Sequence, residues 1–316
     1  MRVAVTGGAG FIGANLCRTL LDRDEVDSVA VIDDLSNGRR SNLDGLDPER
    51  LTFVEGTILD DDALDATFAG TDAVVHLAAL GSVPRSVADP MASLAANATG
   101  TATVLEAARR HGELHTIVAG SSSVYGSNPT LPKHEDLATR PLSPYGVSKL
   151  ATEAAALAWG SSYGMPTLAF RFFNVFGPLQ PAGHVYAAVI PAFVDAALRG
   201  EPVTVHGDGE QSRDFTYVGT VTGTITEAVL RKVTSDVPVN LAFGSRITLL
   251  DTLAKLEELI GSPIERNHIE SRAGDVRHSQ ADNARLLALF PGLTPVPFDE
   301  GLAATVDWMR TTIEPS

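Results

Sequence analysis

Cysteine is almost absent from the sequence, which contains one, Cys17, among 316 residues. One thiol in a chain allows neither an internal disulfide framework nor a thiolate metal cluster. Cys17 lies in an apolar helical pattern, so we expect it to be a small core residue. The histidines show no metal-ligand spacing, and we therefore expect no bound metal.

Basic residues are also scarce. The chain has 24 Lys and Arg residues against 39 Asp and Glu residues, and its formal net charge is −15. This acidic balance argues against a nucleic-acid partner and against an anionic membrane surface. If the ligand is an anion, locally placed arginines must overcome the field of the whole chain.

Long apolar runs are missing as well. No run approaches the ~18 residues that a membrane span requires. Met1 and Arg2 lead directly into a strand-like run, so we expect no signal peptide and a cytoplasmic location. With 44% hydrophobic residues, the chain can form one large domain or two modest ones.

Short apolar runs alternate with helical patterns in the first half of the chain. The runs are rich in Val, Ile and Leu, as in strands that are buried on both faces. They lie at 3–6, 28–33, 51–55, 73–77, 116–119 and 167–172, and the helical patterns lie near 11–22, 60–68, 89–111 and 143–160. This alternation predicts a Rossmann-like, doubly wound α/β fold with a parallel sheet.

The alternation loosens after Phe173, where glycines and prolines become frequent. Here we predict helices near 186–199, 218–231 and 248–260, and strands near 203–206 and 237–242. We expect Thr248 to be the N-cap of the last of these helices, with Asp251 in its first turn. We predict a dinucleotide-binding domain over 1–173, with returning segments near 218–242, and a smaller α/β substrate-binding region mainly over 174–316.

A glycine-rich segment, TGGAGFIG at 6–13, follows the first strand and opens the first helix. Gly7 permits a tight turn, Gly10 lets a pyrophosphate approach the backbone, and Gly13 lets the helix pack on the sheet. Asp33 ends the second strand, where a carboxylate accepts hydrogen bonds from ribose hydroxyls and repels a 2′-phosphate. The segment therefore predicts NAD as the cofactor rather than NADP. The alternative is a structural glycine turn with a capping aspartate.

Two further loops follow later strands. Residues 77–82 are small or apolar, and ligands bind outside the carboxyl ends of such strands. A Ser-rich turn at 121–126 could offer a hydroxyl to a substrate oxygen, or its serines could simply cap their own backbone. Besides the three glycines and Asp33, the predicted cofactor contacts are Phe11, Ile12, Asp34, Asn37, Leu77, Ala78, Ala79, Tyr145 and Lys149.

Tyr145 and Lys149 are four residues apart, so they lie on one face of a helix. A phenol with a pKa of ~10 is a poor base at neutral pH, and a nearby ammonium favours the phenolate. We expect the ammonium of Lys149 to supply part of the lowering of the Tyr145 pKa, so that the two residues act as one acid/base unit. The alternative is a helix surface that carries both residues by chance.

With these motifs in place, the sequence resembles the extended short-chain dehydrogenase/reductase family. Within it, the chain is similar to UDP-hexose 4-epimerases, especially those acting on UDP-N-acetylglucosamine and UDP-N-acetylgalactosamine. The glycine segment, the Ser-rich turn, YGVSK at 145–149 and a C-terminal nucleotide-sugar set carry the resemblance. It implies that Ser121 binds the sugar O4, that Tyr145 is the acid/base, and that Lys149 holds the nicotinamide ribose.

The resemblance also implies a UDP site in the second half of the chain. Asn174, Arg213 and Arg272 match diphosphate ligands, and Asp275 matches a ligand of the uridine ribose. Guanidinium groups suit this role because they pair bidentately with phosphate. The full set of expected substrate contacts is Ser82, Ser121, Ser122, Ser123, Tyr145, Asn174, Ala188, Val189, Val205, Arg213, Arg272, Asp275 and Ser279.

The implied reaction is C4 epimerisation. Tyr145 takes the proton of the sugar O4 and NAD takes hydride from C4, which gives a transient 4-keto sugar. The sugar turns about its diphosphate, the hydride returns to the other face of C4, and Tyr145 reprotonates O4. A 4,6-dehydratase would carry an Asp-Glu pair where this chain has Ser122 and Ser123. A UDP-glucuronate 4-epimerase would carry an arginine where Pro181 stands, although Arg85 could replace it. A non-enzymatic NAD-binding regulator would be expected to have lost Tyr145 or Lys149.

Ser279 bears on substrate size. It stands four residues after Asp275, where galactose-only relatives carry a tyrosine beside C2 of the sugar. A serine leaves room for a 2-acetamido group, and residues 81–86 resemble a loop of N-acetylhexosamine epimerases. We therefore predict turnover of UDP-GlcNAc and UDP-GalNAc together with UDP-Glc and UDP-Gal, unless Ser279 faces away from the substrate.

The helices near 89–111 and 143–160 have alanine-rich faces. Relatives dimerise by packing such helices into a four-helix bundle, so the resemblance implies a homodimer. The alternative is that these faces simply pack on the sheet of their own chain.

Overall fold

The structure is a computed structural model that describes residues 1–182, 187–270 and 277–313. The strands in this part of the chain are β1 (Arg2–Thr6), β2 (Ser28–Asp33), β3 (Leu51–Glu55), β4 (Ala73–His76), β5 (His115–Ser121), β6 (Thr167–Phe172), β7 (Val175–Phe176), β8 (Val203–His206), β9 (Ser212–Arg213), β10 (Thr216–Tyr217), β11 (Val239–Leu241), β12 (Ile247–Thr248) and β13 (Arg266–Ile269).

The α-helices in the same residues are α1 (Phe11–Leu21), α2 (Asp61–Phe68), α3 (Val83–Ala88), α4 (Pro90–Leu94), α5 (Gly100–Arg110), α6 (Pro144–Tyr163), α7 (Val189–Arg199), α8 (Val218–Leu230), α9 (Leu249–Ile260), α10 (Ala284–Leu289) and α11 (Phe298–Thr312). Among these described helices, none combines the length and the apolar character needed to cross a membrane.

Seven of the described strands form one parallel sheet in the order β11-β6-β5-β4-β1-β2-β3. Successive residues of a strand point to opposite faces. Val3 and Val5 accordingly enter a core that contains Leu16 of α1 and Ile225 of α8. Ala4 enters a second core on the other face, with residues of α2, α5 and α6. The predicted doubly wound α/β fold is confirmed.

Cys17 lies in the first of these cores and is fully buried, as expected. Burial raises the pKa of its thiol to about 12. The thiol is therefore neutral at physiological pH, and it behaves as a small apolar side chain.

The predicted helix near 89–111 is not a single α-helix. A π-helical turn at Ala95–Thr99 separates α4 from α5. In this turn the carbonyl of Asn97 accepts hydrogen bonds from the hydroxyls of Thr101 (2.5 Å) and Thr152 (3.1 Å). The Asn97 side chain pairs with the backbone N–H and C=O of Leu80 at 2.7 and 3.2 Å. These bonds compensate for the irregular turn, which apolar periodicity does not predict.

The second half of the chain interleaves its elements. Helix α8 packs on α1, where Thr19 donates a 2.9 Å hydrogen bond to Thr222, and β11 joins the main sheet beside β6. Three two-stranded sheets pair β10 with β7, β12 with β9 and β13 with β8. Thr248 caps α9, and Asp251 completes a capping box. A third core lies among α7, β8, α9 and α11.

Candidate active site

The carboxyl ends of the parallel strands share one edge of the sheet, and the loops that follow them surround a cleft of about 1080 Å³. All of the predicted cofactor contacts lie in its wall. They are Gly7, Gly10, Phe11, Ile12, Gly13, Asp33, Asp34, Asn37, Leu77, Ala78, Ala79, Tyr145 and Lys149. Ligands of doubly wound folds bind at this edge.

The glycine segment forms a cradle that has no room for side chains. Gly7 has a φ of 72°, and a Cβ there would stand 2.6 Å from the backbone N of Ala78. A Cβ on Gly13 would collide with the carbonyl oxygen of Gly7. Gly10, the N-cap residue of α1, offers no side-chain cap, so amides of the first turn remain available to an anion. The cradle therefore fits the pyrophosphate of a dinucleotide.

Asp33 holds the cradle against the end of β2. Its Oδ2 accepts a 2.9 Å hydrogen bond from the N–H of Ala9, and its Oδ1 accepts one of 2.9 Å from the N–H of Leu35. Burial raises the pKa of this carboxyl, and the backbone hydrogen bonds oppose that change. The carboxylate lines the cleft at the position expected for a partner of ribose hydroxyls.

The predicted catalytic residues meet at the ends of β5 and α6. Ser121 ends β5, and its Oγ accepts a 3.1 Å hydrogen bond from the N–H of Ser123. Tyr145 stands in the first turn of α6, which Ser143 caps by accepting from the N–H of Gly146. Lys149 lies one turn further on, as the spacing predicts, and all three predicted residues line the cleft.

The ammonium of Lys149 is directed at the backbone. Its Nζ donates a 2.9 Å hydrogen bond to the carbonyl of Ala119 on β5. Burial lowers the pKa of Lys149 to about 8. The side chain is therefore mostly cationic at pH 7 and titrates within the range of ordinary assays.

Tyr145 differs from the expectation about its acidity. Burial raises the pKa of its phenol, and a hydrogen bond with the Ser121 side chain lowers it by less. The ammonium of Lys149, bonded to Ala119, does not bring the phenol below its usual pKa. The helical spacing was right, but the burial cost of a phenolate outweighs the effect expected from it.

A buried polar chain lies beneath the cleft, and sequence reasoning missed it. His76 Nδ1 lies 2.7 Å from the hydroxyl of Thr6, and its Nε2 lies 3.0 Å from the hydroxyl of Thr101. Thr6 Oγ1 also accepts from the N–H of Ala78 at 3.2 Å. Burial lowers the pKa of His76 to about 3, so the ring is neutral. These hydrogen bonds position the loop after β4. In the sequence, His76 is indistinguishable from an ordinary core histidine.

Of the predicted substrate contacts that the structure describes, six lie in the wall of the cleft and the others do not. The residues in the wall of the cleft are Ser82, Ser121, Ser122, Tyr145, Asn174 and Ala188. Ser123 is not in that wall, and its hydroxyl is buried without a hydrogen-bond partner among the described residues. Arg272 and Asp275 lie outside the residues that the structure describes.

Val205 lies elsewhere. Its side chain is fully buried in the third core, because alternate residues of β8 point inward and Val203 and Val205 share that face. The prediction that Val205 contacts the substrate therefore fails for its side chain. Val189, the first residue of α7, packs against the same core.

Arg213 and Ser279 lie together, and neither is among the residues in the wall of the cleft. Arg213 Nη1 donates to the carbonyls of Ser212 (3.0 Å) and Arg277 (3.3 Å), and the N–H of Ser279 donates to the carbonyl of Ser212 at 3.1 Å. This pairing of β9 with the chain around 277–279 brings the two predicted residues close in space.

Asp214 organises the neighbouring loops, although sequence reasoning gave it no role. Its buried carboxylate accepts from the backbone N–H groups of Gly244 (2.9 Å), Ser245 (3.2 Å) and Ala281 (2.9 Å). Its backbone carbonyl accepts a 3.2 Å hydrogen bond from Asn174 Nδ2. Asp214 therefore connects Asn174, in the wall of the cleft, to the loops that carry Gly244 and Ala281.

Residues 3–241 match the NAD dependent epimerase/dehydratase family. The chain is 35% identical to a UDP-glucose 4-epimerase of Mycolicibacterium smegmatis, over 98% of this chain and 99% of that protein.

Two solved structures show the same architecture. One is a UDP-N-acetylglucosamine 4-epimerase from Methanobrevibacter ruminantium in complex with UDP-N-acetylmuramic acid, with a TM-score of 0.93, 36% identity and 99% of each chain covered. The other is a Thermus thermophilus UDP-glucose 4-epimerase in complex with NAD, with a TM-score of 0.88, 34% identity, and 99% of this chain and 100% of that chain covered. The chain therefore belongs to the NAD-dependent epimerase/dehydratase family of extended short-chain dehydrogenases/reductases.

Proposed function

We propose that this protein uses NAD to epimerise UDP-hexoses at C4. The observation that carries the proposal is that the side chains of Ser121 and Tyr145 lie in the wall of the same cleft as the glycine cradle. A sugar hydroxyl placed between these two side chains would lie beside a dinucleotide bound in the cradle. The matched family and the epimerase relatives support this choice of reaction.

The proposed chemistry assigns one task to each residue. When bound, oxidised NAD would supply the hydride acceptor for C4 of the sugar and a positive ring charge. Ser121 holds the sugar O4 by a hydrogen bond, and Tyr145 removes the proton of O4 and later returns it. Lys149, still mostly protonated at pH 7, supplies a fixed cation on the same face of α6 as Tyr145.

Burial has a consequence for the two directions of proton transfer. Because burial raises the pKa of Tyr145, the phenol is protonated and ready to donate when the 4-keto sugar is reduced. Removal of the first proton requires compensating positive charge near the phenolate. The cation of Lys149 and the oxidised ring together meet that requirement, and the contribution of Lys149 is lost if its ammonium is neutralised.

We propose acetylated and plain hexoses as substrates, namely UDP-GlcNAc/UDP-GalNAc and UDP-Glc/UDP-Gal. The support is the small side chain of Ser279 next to Arg213, together with the similarity to a UDP-N-acetylglucosamine 4-epimerase. Ser122 and Ser123, which stand where a dehydratase would carry two acids, argue against elimination of water.

We also propose that the enzyme is a homodimer and that residues 1–173 with 218–242 form its NAD-binding domain. Support for the dimer comes from apolar side chains exposed along α3, α4 and α6: Val87 (65%), Met91 (71%) and Val147 (47%). These three helices pack against one another, and exposed apolar side chains on packed helices favour an interaction surface. Sedimentation at several protein concentrations would test the dimer.

The deciding experiment incubates the purified protein and NAD separately with UDP-GlcNAc and UDP-Glc, and follows the sugar by proton NMR. The proposal expects an equilibrium mixture of C4 epimers from each. A 6-deoxy-4-keto product would identify a dehydratase instead. Unchanged sugars, with NAD bound, would point to a regulatory protein.

A further inference from the structure

A pair of side-chain contacts joins the two segments that flank the glycine cradle. In the sheet, β1 lies between β2 and β4, so the loops that follow β2 and β4 stand on opposite sides of the cradle that follows β1. Asn37 belongs to the loop after β2, and its Nδ2 donates a 3.4 Å hydrogen bond to the carbonyl of Ala79 in the loop after β4. Arg85 of α3 donates from Nη1 to Asn37 Oδ1 at 2.5 Å. The two contacts connect both sides of the cleft.

The backbone of Arg85 is held in place. Ser82 caps α3 and accepts from the N–H of Arg85 at 3.2 Å. The neighbouring Ser86 is fully buried, and its hydroxyl donates to the carbonyl of Val83 at 2.7 Å and accepts from the N–H of Tyr145 at 3.0 Å. Helix α3 is thereby attached to the first turn of α6, and the guanidinium extends from a fixed base toward Asn37.

The charge of Arg85 suits an anion in the cradle. The chain has a formal net charge of −15, and Asp33 and Asp34 lie in the same wall of the cleft. A guanidinium has five N–H donors, and its planar fork pairs with phosphate oxygens. The hydrogen bond to Asn37 uses one of these donors, and among the described residues no other group accepts from the rest, so they are available to a diphosphate.

We infer that Arg85 and Asn37 form a strap that retains the bound dinucleotide. Arg85 pairs with the diphosphate from the solvent side, while Asn37 holds the guanidinium over the cradle. Release of the dinucleotide requires the Arg85–Asn37 contact to open. The inference rests on NAD binding in the cradle and not on the identity of the sugar. A retained cofactor suits a reaction that returns NAD to its starting form at every turnover.

The test measures cofactor exchange directly. The full-length protein is loaded with NAD and mixed with a large excess of deuterium-labelled NAD, and the unlabelled NAD still bound is followed by mass spectrometry. We expect Arg85→Ala to release NAD about tenfold faster, because a charge-assisted contact to phosphate is lost. Asn37→Ala should accelerate release as well, and the double variant should be no faster than Arg85→Ala, since both changes open one strap.

Ionic strength separates a charged strap from a structural effect. High salt should speed release from the wild-type protein more than from Arg85→Ala, because screening weakens the pairing that only the former has. Arg85→Gln, which keeps most of the length without the charge, should behave like Arg85→Ala, and Arg85→Lys should be intermediate. The matched control is Arg40→Ala. It removes the same charge from the connection between β2 and β3, which also carries Asn37. There Arg40 stacks on Phe53, with its Cζ 3.9 Å from the ring centroid.

Exchange rates of Arg85→Ala and Arg85→Gln that equal the wild-type rate would overturn the inference. So would an equal acceleration in Arg40→Ala, which would show a general effect of charge. The assay contains no sugar. A failed strap therefore leaves the proposed epimerase untouched, and a failed epimerase assay leaves the exchange result standing.

Discussion

The backbone N–H of Tyr145 donates a 3.0 Å hydrogen bond to the side chain of Ser86. The first N–H groups of a helix have no partner within it, so the hydroxyl of Ser86 satisfies one donor of α6 and Ser143 satisfies the next. Ser86 belongs to α3, which also carries Arg85. The first turn of α6 and the side of the cleft that reaches Asn37 are thus attached through one serine.

Tyr145→Phe removes the proposed acid/base and keeps the aromatic ring. We expect kcat for epimerisation to fall by about 10²- to 10⁴-fold, while NAD remains bound, because a positioned proton-transfer group contributes that much. Tyr163→Phe is the matched control, since Tyr163 ends the same helix and is 48% exposed. Near-normal turnover in Tyr145→Phe, measured by NMR, would contradict the proposed mechanism.

Gly13→Ala tests the cradle. The added Cβ would meet the carbonyl oxygen of Gly7 and stand 2.7 Å from the Cα of Gly8, both of them backbone atoms that cannot rotate away. We expect loss of NAD binding, measured by isothermal titration, together with a lowered melting temperature. Gly292→Ala serves as the control, because nothing lies within 4 Å of a Cβ at that position. Unchanged NAD affinity in Gly13→Ala would show that the segment is not the pyrophosphate site.

Ser279→Tyr tests the proposed substrate range. If Ser279 stands beside C2 of the sugar, a tyrosine should lower kcat/KM for UDP-GlcNAc by at least tenfold relative to UDP-Glc, since overfilling a pocket costs about 1–3 kcal/mol. Ser279→Ala should leave the ratio of the two substrates unchanged. Equal effects of the tyrosine on both sugars would remove Ser279 as the determinant of size.

His76 should make the stability of the folded protein depend on pH in the acidic range. Its pKa is about 3 in the folded protein, against an ordinary value of 6.5 for histidine, so the unfolded chain binds more protons between these values. Stability is therefore lost as the pH falls through this window, by about 2 kcal/mol from this group at pH 5. The raised pKa values of Asp33 and Asp214 act in the opposite direction.

The measurement compares urea unfolding at pH 7 and pH 5. His76→Gln should be less stable at pH 7 but should lose less stability on acidification than the wild-type protein. His268→Gln, at an exposed histidine, should keep the wild-type dependence. A His76→Gln protein with the full wild-type loss would show that another group titrates in this range.

Arg171 and Glu153 fasten β6 to α6 through a two-point ion pair. Nε lies 2.8 Å from Oε2 and Nη2 lies 2.7 Å from Oε1, and both side chains are 4% exposed. Glu153→Gln should lower the free energy of unfolding by about 3–5 kcal/mol, because it leaves a buried charge without its partner. Replacing both residues, with Glu153→Leu and Arg171→Met, should cost less than Glu153→Gln alone.

The control for this pair is Asp299→Asn at the surface, where Lys255 and Asp299 pair at 2.7 Å with side chains 36% and 66% exposed. Surface pairs contribute about 0–1 kcal/mol, so this change should be small. Equal losses of stability in Asp299→Asn and Glu153→Gln would contradict the assigned importance of burial.

Much of the site could be predicted because its parts are local. The cradle is one continuous segment, Asp33 ends a strand, and Tyr145 and Lys149 share a helical turn. In each case the backbone geometry of one element brings the residues into register. The helix near 89–111 was predicted in the right place but without its π-turn, because the bonds that Asn97 makes to Leu80 join segments 17 residues apart.

Other features depend on distance in the chain. Arg85 and Asn37 are 48 residues apart, His76 and Thr6 are 70 apart, and Asp214 and Ala281 are 67 apart. No pattern of hydropathy or spacing connects such pairs, because side-chain contacts over these separations exist only once the sheet order is set. The burial of Val205 and the raised pKa of Tyr145 have the same origin.

The sequence by itself determined the fold class, the glycine cradle, the acidic residue after β2 and the helical pair of Tyr145 and Lys149. Short-range sterics and periodicity are sufficient for these. Only the tertiary structure decided which predicted residues face the cleft, how burial changes the pKa of Tyr145, and which side chains bridge the cradle. These features depend on the order of strands in the sheet and on how much contact with water each side chain loses when the chain folds.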